Sequence, residues 1–142
     1  MAKISFLVAA VGFTFLFTAC KKKDRDDNNY KAAIIGKWTY TEAFFTLNGQ
    51  NIPEEPFTDG EYIRFTATDT VYFGSNEIPV GGVDYSFYKV DGSNLTIANN
   101  KAFTVEVHNC HIDALNNSDL TFSFDEQNAA GVKGRLTVKL KK

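Results

Sequence analysis

From Ile34 onward, apolar side chains recur at every second position, and no stretch keeps helical spacing beyond about a turn. That period puts successive side chains on opposite faces of an extended backbone, so the region has to form sheet with one buried face. The apolar runs are short and separated by turn chemistry. In the first, Trp38, Tyr40, Glu42 and Phe44 alternate with Lys37, Thr39, Thr41 and Ala43, and Asn48-Gly49 then opens a polar loop through Pro53, Glu54, Glu55 and Pro56. The next runs are 61–67 (Ile63, Phe65 and Ala67 on one face), 70–74 (Val71, Phe73) and 83–90 (Val83, Tyr85, Phe87). Asp91-Gly92 turns the chain into 95–98, and Asn99-Asn100 precedes 103–112, where Phe103, Val105 and Val107 share a face. Segments 120–124 and 132–140 follow, the latter with Leu136, Val138 and Leu140 set against Thr137 and Lys139.

These eight short strands predict an all-β fold, an up-and-down antiparallel barrel. Closing the sheet pairs the first strand with the last and leaves no free edge to template aggregation. A two-sheet sandwich would carry the same alternation. With roughly 110 residues, region 34–142 is the size of one domain.

The start of the chain obeys different rules. Lys3 precedes an uncharged apolar run from Ile4 to Phe17 that ends in Phe17-Thr18-Ala19-Cys20, and charge returns at once with Lys21. A basic start, a short apolar run and small residues before a cut are the parts of an export signal. A bilayer of about 30 Å takes about 20 apolar residues to span, which this run does not supply. The segment resembles the lipobox of bacterial lipoproteins, with Thr18 and Ala19 at the small positions and Phe17 where leucine is usual. The resemblance implies that residues 1–19 are a cleaved lipoprotein signal peptide and that Cys20 carries the acyl chains. It implies anchoring at the outer membrane or cell surface of a Gram-negative bacterium. Residues 20–33 then form the lipidated cysteine and a flexible charged tether, because 21–29 holds no apolar residue. Asp24, Asp26 and Asp27 resemble the acidic signals that direct some lipoproteins to the surface, although plain solvation of a linker accounts for them equally.

Charge and cysteine count narrow the function classes. The whole chain has a formal charge of −2, and losing Lys3 with the signal makes the remainder slightly more acidic. No basic stripe for nucleic acid is present. With Cys20 acylated, Cys110 stands alone, so the fold is held by its core and not by an internal disulfide.

Ile35-Gly36-Lys37-Trp38 resembles the Gly-x-Trp signature of lipocalins, and more closely the opening of lipocalin-like domains on bacterial envelope lipoproteins. The stretch from Phe103 to Phe124 is similar to the same domains, and the resemblance spans nearly all of 34–142. It implies structural roles for Gly36 and Trp38, the indole sealing one end of the barrel beneath a basic side chain of the last strand. Carried over, that side chain is Arg135.

Two readings of the interior stay open. Tyr62, Phe65, Phe73, Tyr85 and Phe87 could line a pocket for a small apolar or amphipathic ligand, with loops 47–60 and 75–82 as its rim. Alternatively Phe65, Phe73, Phe87, Phe103, Phe122 and Phe124 fill the barrel, and the domain serves as a protein-interaction module of an outer-membrane assembly. His108-Asn109-Cys110-His111 is the best case for chemistry, but on a regular strand His111 points away from His108 and Cys110, and the spacing matches no zinc pattern. No catalytic residue, metal or cofactor is expected, and the chain reads as non-enzymatic.

Overall fold

The computed structural model describes residues 27–54, 60–75, 84–127 and 130–142. The expected signal peptide, Cys20 and the tether up to residue 26 lie outside the described residues, as do parts of both expected rim loops. The described chain is one helix, α1 (Asp27–Ile34), followed by nine antiparallel strands: β1 (Gly36–Leu47), β2 (Gln50–Pro53), β3 (Tyr62–Phe65), β4 (Thr70–Gly74), β5 (Asp84–Asp91), β6 (Asn94–Ala98), β7 (His108–Leu115), β8 (Asp119–Gln127) and β9 (Lys133–Lys141). β1 pairs with β3, each of β3 to β8 pairs with the next, and β9 pairs back onto β1, so eight strands close into a barrel and leave no sandwich.

The twelve-residue β1 is the seam. One edge pairs with β9 along most of its length; the other pairs with β3 from Gly36 to Thr39 and with β2 from Phe44 to Leu47. A bulge between Tyr40 and Glu42 changes which side chains face inward. Trp38 and Tyr40 point in below it, Ala43 and Phe45 above it. The expectation that Glu42 and Phe44 share the face of Trp38 is therefore corrected. Both lie outside, where Lys139 Nζ meets Glu42 Oε2 at 2.7 Å and sits 5.2 Å from the Phe44 ring centre.

Four further expectations change. Asn48 and Gly49 both have positive φ, 50° and 79°, and so form a tight hairpin turn into β2, a strand hidden in the sequence by its polar residues and Pro53. Region 103–107 is not strand: Phe103 and Glu106 have positive φ, and the Asn100 carboxamide accepts hydrogen bonds from Thr104 N (2.9 Å) and Val105 N (3.3 Å). Side-chain bonds of this kind compete with ladder formation, and pairing starts only at His108. In β5 the inward residues are Ser86 and Tyr88, because Val71, already buried, lies opposite Ser86. Lastly, α1 occupies the end of the segment expected to be tether.

That helix explains the core. Its last turn brings Tyr30, Ala33 and Ile34 onto a layer of fully buried Trp38, Phe65, Tyr88, Leu95, Leu120 and Leu140. Trp38 Nε1 donates to the Ile34 carbonyl at 2.7 Å, satisfying one of the acceptors a helix leaves open at its C-terminus. The buried Tyr88 hydroxyl donates to Thr66 O at 2.6 Å, and its ring packs edge-on against Phe65 with centres 4.9 Å apart. The basic side chain over the indole is Lys142, whose Nζ is 4.4 Å from the ring centre, and not Arg135. Register decides this: Thr39 faces Lys141 and Thr46 faces Arg135, so Arg135 lies roughly 20 Å along the strand from Trp38. There it donates to the buried Ser123 Oγ from Nε (3.0 Å) and Nη2 (2.7 Å) on the outer wall. Gly36 has φ +136°, and a Cβ there would sit 3.1 Å from the Lys142 stem, so glycine allows that lysine to close over the indole.

The two ends differ. The helix end has the short turns 66–69, 92–93 and 116–118, whereas the strand ends Gly74, Asp84, Ala98, His108, Gln127 and Lys133 lie at the other end, with the described connection 99–107.

Candidate functional site

Above the Trp38 layer the barrel is hollow. A cavity of about 650 Å³ opens at the end away from the helix. Ala43 on β1 contributes only a methyl group, and neither Trp38, Phe65 nor Leu120 reaches this level. The wall is apolar: Ile63 and Phe73 on one side, Ile97 and Cys110 on another, and Phe122, Phe124, Leu136 and Val138 from β8 and β9. The volume is that of a small-molecule site, about 300–1,000 Å³.

Polar groups collect toward the opening. Tyr40, Glu54, Glu61, Tyr62, Ser75, Asp84 and His108 all line it, and among the described residues no lysine or arginine does. Burial, reinforced by the charge of Glu61, pushes the Tyr40 hydroxyl up to about 12, so it stays a protonated donor at ordinary pH. The Tyr62 ring lies against Gly74, where an added Cβ would come within 2.7 Å of its hydroxyl, and Lys37 Nζ covers that ring at 4.2 Å. The His108 ring stands edge-on to Phe124 with centres 5.9 Å apart. Burial pushes the Cys110 thiol up to about 12, which removes the thiolate that nucleophilic attack or metal binding needs.

Of the residues expected at a ligand site, Tyr62 and Phe73 line the cavity. Phe65 lies one layer below, in the filled part of the core. Tyr85 and Phe87 are on the outer wall, Tyr85 60% exposed and packed near Tyr72 and Phe87, because the β5 register turns Ser86 and Tyr88 inward. His108 and Cys110 face the cavity while His111 borders a separate hollow of about 260 Å³ with Asn94, Asn109 and Arg135. Among the described residues, no group of three or more His, Cys, Asp or Glu is placed to hold a metal.

Sequence reading missed Tyr40, Glu61, Asp84 and Ala43 as lining residues. Tyr40 was legible, since it shares its parity with Trp38. Ala43 was not, because the bulge at Thr41 leaves no signature. Glu61 and Asp84 sit at strand ends, where alternation carries no inward or outward meaning. Compared with known proteins, the chain matches no family model and no curated relative.

Proposed function

We propose that this protein is a lipid-anchored, non-enzymatic component of the cell envelope that binds a small apolar or amphipathic molecule in its barrel. The anchor is Cys20, read from the lipobox-like Phe17-Thr18-Ala19-Cys20, at the outer membrane or surface of a Gram-negative bacterium. The observation that supports binding is the cavity: about 650 Å³ of apolar space, open at one end, in a barrel whose other half is packed solid. Empty apolar volume of this size costs packing energy, which a self-filled barrel avoids. The protonated Cys110 thiol supports a holding role over a catalytic one.

The test is displacement of the neutral fluorophore N-phenyl-1-naphthylamine from the purified full-length protein, alongside organic extraction of co-purified molecules. Probe binding lost in Ala43→Trp, which places an indole in the hollow, would support the reading; binding unaffected by that change would refute it. Anchoring is tested separately, because Cys20→Ser should abolish fatty-acid labelling and release the protein from membranes.

One observation favours a second reading, an interaction module. Ile52, Tyr85, Val105, Val107 and Val132, all exposed, sit toward the open end. Single exposed apolar side chains are ordinary, but their concentration at one end suits contact with another envelope protein. A crosslinked partner lost on Val105→Asp with Val107→Asp, in a protein that takes up no probe, would favour it.

A further inference from the structure

Building on the binding reading above, we infer that the molecule held in the cavity is cationic, an amine or quaternary ammonium joined to an apolar body. Three carboxylates line the cavity from three strand ends: Glu54 just after β2, Glu61 just before β3, and Asp84 at the start of β5. Among the described residues none of the three has an ion-pair partner; the carboxylates that do are Asp69, Asp125 and Glu42. Of the basic side chains nearby, Lys139 is paired with Glu42 and Arg135 donates to Ser123 on the outer wall, while Lys37 lies over the Tyr62 ring and pairs with none of the three carboxylates. Nor does the sequence of 55–59 or 76–83, between these segments, contain a lysine or arginine.

An amphiphile seated with its apolar part among Phe122, Phe124 and Val138 therefore has its polar end beside three carboxylates that form no ion pair among the described residues. A fatty carboxylate would meet like charge in a half-enclosed site, where repulsion is screened less than in open solvent. An ammonium group meets the opposite, Coulomb attraction from the carboxylates. The neutral Tyr40 hydroxyl adds a dipole without adding repulsion.

The experiment titrates octyltrimethylammonium, octanol and octanoate calorimetrically into the full-length protein in zwitterionic nanodiscs, with protein-free discs as the blank. Expected is a dissociation constant about tenfold lower for the ammonium than for octanol, with octanoate weakest. The ammonium preference should shrink as salt is raised from about 0.01 M to about 1 M, a range over which the screening length falls roughly tenfold. It should also collapse toward unity in the triple variant Glu54→Gln, Glu61→Gln, Asp84→Asn. Equal affinity for all three ligands, tighter binding of octanoate, or a preference indifferent to salt overturns the inference while leaving apolar binding intact. The salt series needs no variant, so a misfolded triple mutant does not spare the claim. If none of the three binds, the binding reading falls and this inference with it.

Discussion

Trp38→Phe should cost about 3 kcal/mol of folding stability, and the components can be separated. The Nε1 hydrogen bond to Ile34 O is 2.7 Å long and buried, and removing its donor leaves a desolvated helix-end carbonyl, a penalty of about 1–3 kcal/mol. The smaller ring leaves a void in a layer where Trp38, Phe65, Leu120 and Leu140 are all fully buried; at about 24 cal/mol per Å³, a gap of about 40 Å³ adds about 1 kcal/mol. Weakened attraction to Lys142 Nζ, now 4.4 Å from the ring centre, adds about 0.5 kcal/mol. For a urea dependence of about 1.5 kcal/mol/M the midpoint should fall by about 2 M. Because Trp38 is the single tryptophan, far-ultraviolet circular dichroism must follow the variant, while indole fluorescence follows the parent and Lys142→Ala. The lysine variant should lose only about 0.5–1 kcal/mol. A loss below about 1 kcal/mol for Trp38→Phe would refute the argument, because an unpaired buried carbonyl alone costs at least that.

Gly134→Ala should destabilise by about 1–3 kcal/mol in the same titration, since a Cβ there would overlap the Phe45 ring and sit 2.8 Å from Thr46 O; Gly49→Ala, with open space but φ +79°, should cost about 1 kcal/mol. Tyr40, Tyr88 and Cys110 are all raised to about 12 in the folded state, so the unfolded chain loses these protons first, and stability present below about pH 9 should decline as pH rises toward 12. Denaturant midpoints measured at steps between those limits check this; a flat profile would contradict the burial of these groups. Cys110 in the folded protein should resist iodoacetamide at neutral pH and react on denaturation, followed by mass spectrometry.

The all-β fold was legible because alternation survives in nearly every strand, and closure was favoured because pairing the first strand with the last removes free edges; the β1–β9 register is what decides it against a sandwich. What escaped did so for local reasons. Four polar residues ending in Pro53 form a real strand only because the Asn48-Gly49 turn lays them back on β1. The apolar positions Phe103, Val105 and Val107 alternate as a strand would, yet Asn100 satisfies the loop backbone and leaves both valines exposed. Tyr85 and Phe87 were placed inward on hydrophobicity alone, whereas a single-residue difference in register puts the smaller Ser86 inside. The lysine over Trp38 could not be chosen over Arg135 without knowing that β9 runs to Lys141 before it meets Thr39. Of the candidate site, the aromatic wall was partly legible; the acidic opening was not, since it is assembled from strand ends.

If Cys20 is acylated as proposed, the helix that plugs one end of the barrel also sets a direction. About six residues lie between Cys20 and Asp27, which even fully stretched reach only roughly 20 Å. An acylated Cys20 would hold the plugged base down against its leaflet on this short leash, with the mouth turned to the aqueous side. Cargo would then arrive from the surrounding medium or from a facing surface, not by sliding sideways out of the bilayer that holds the protein.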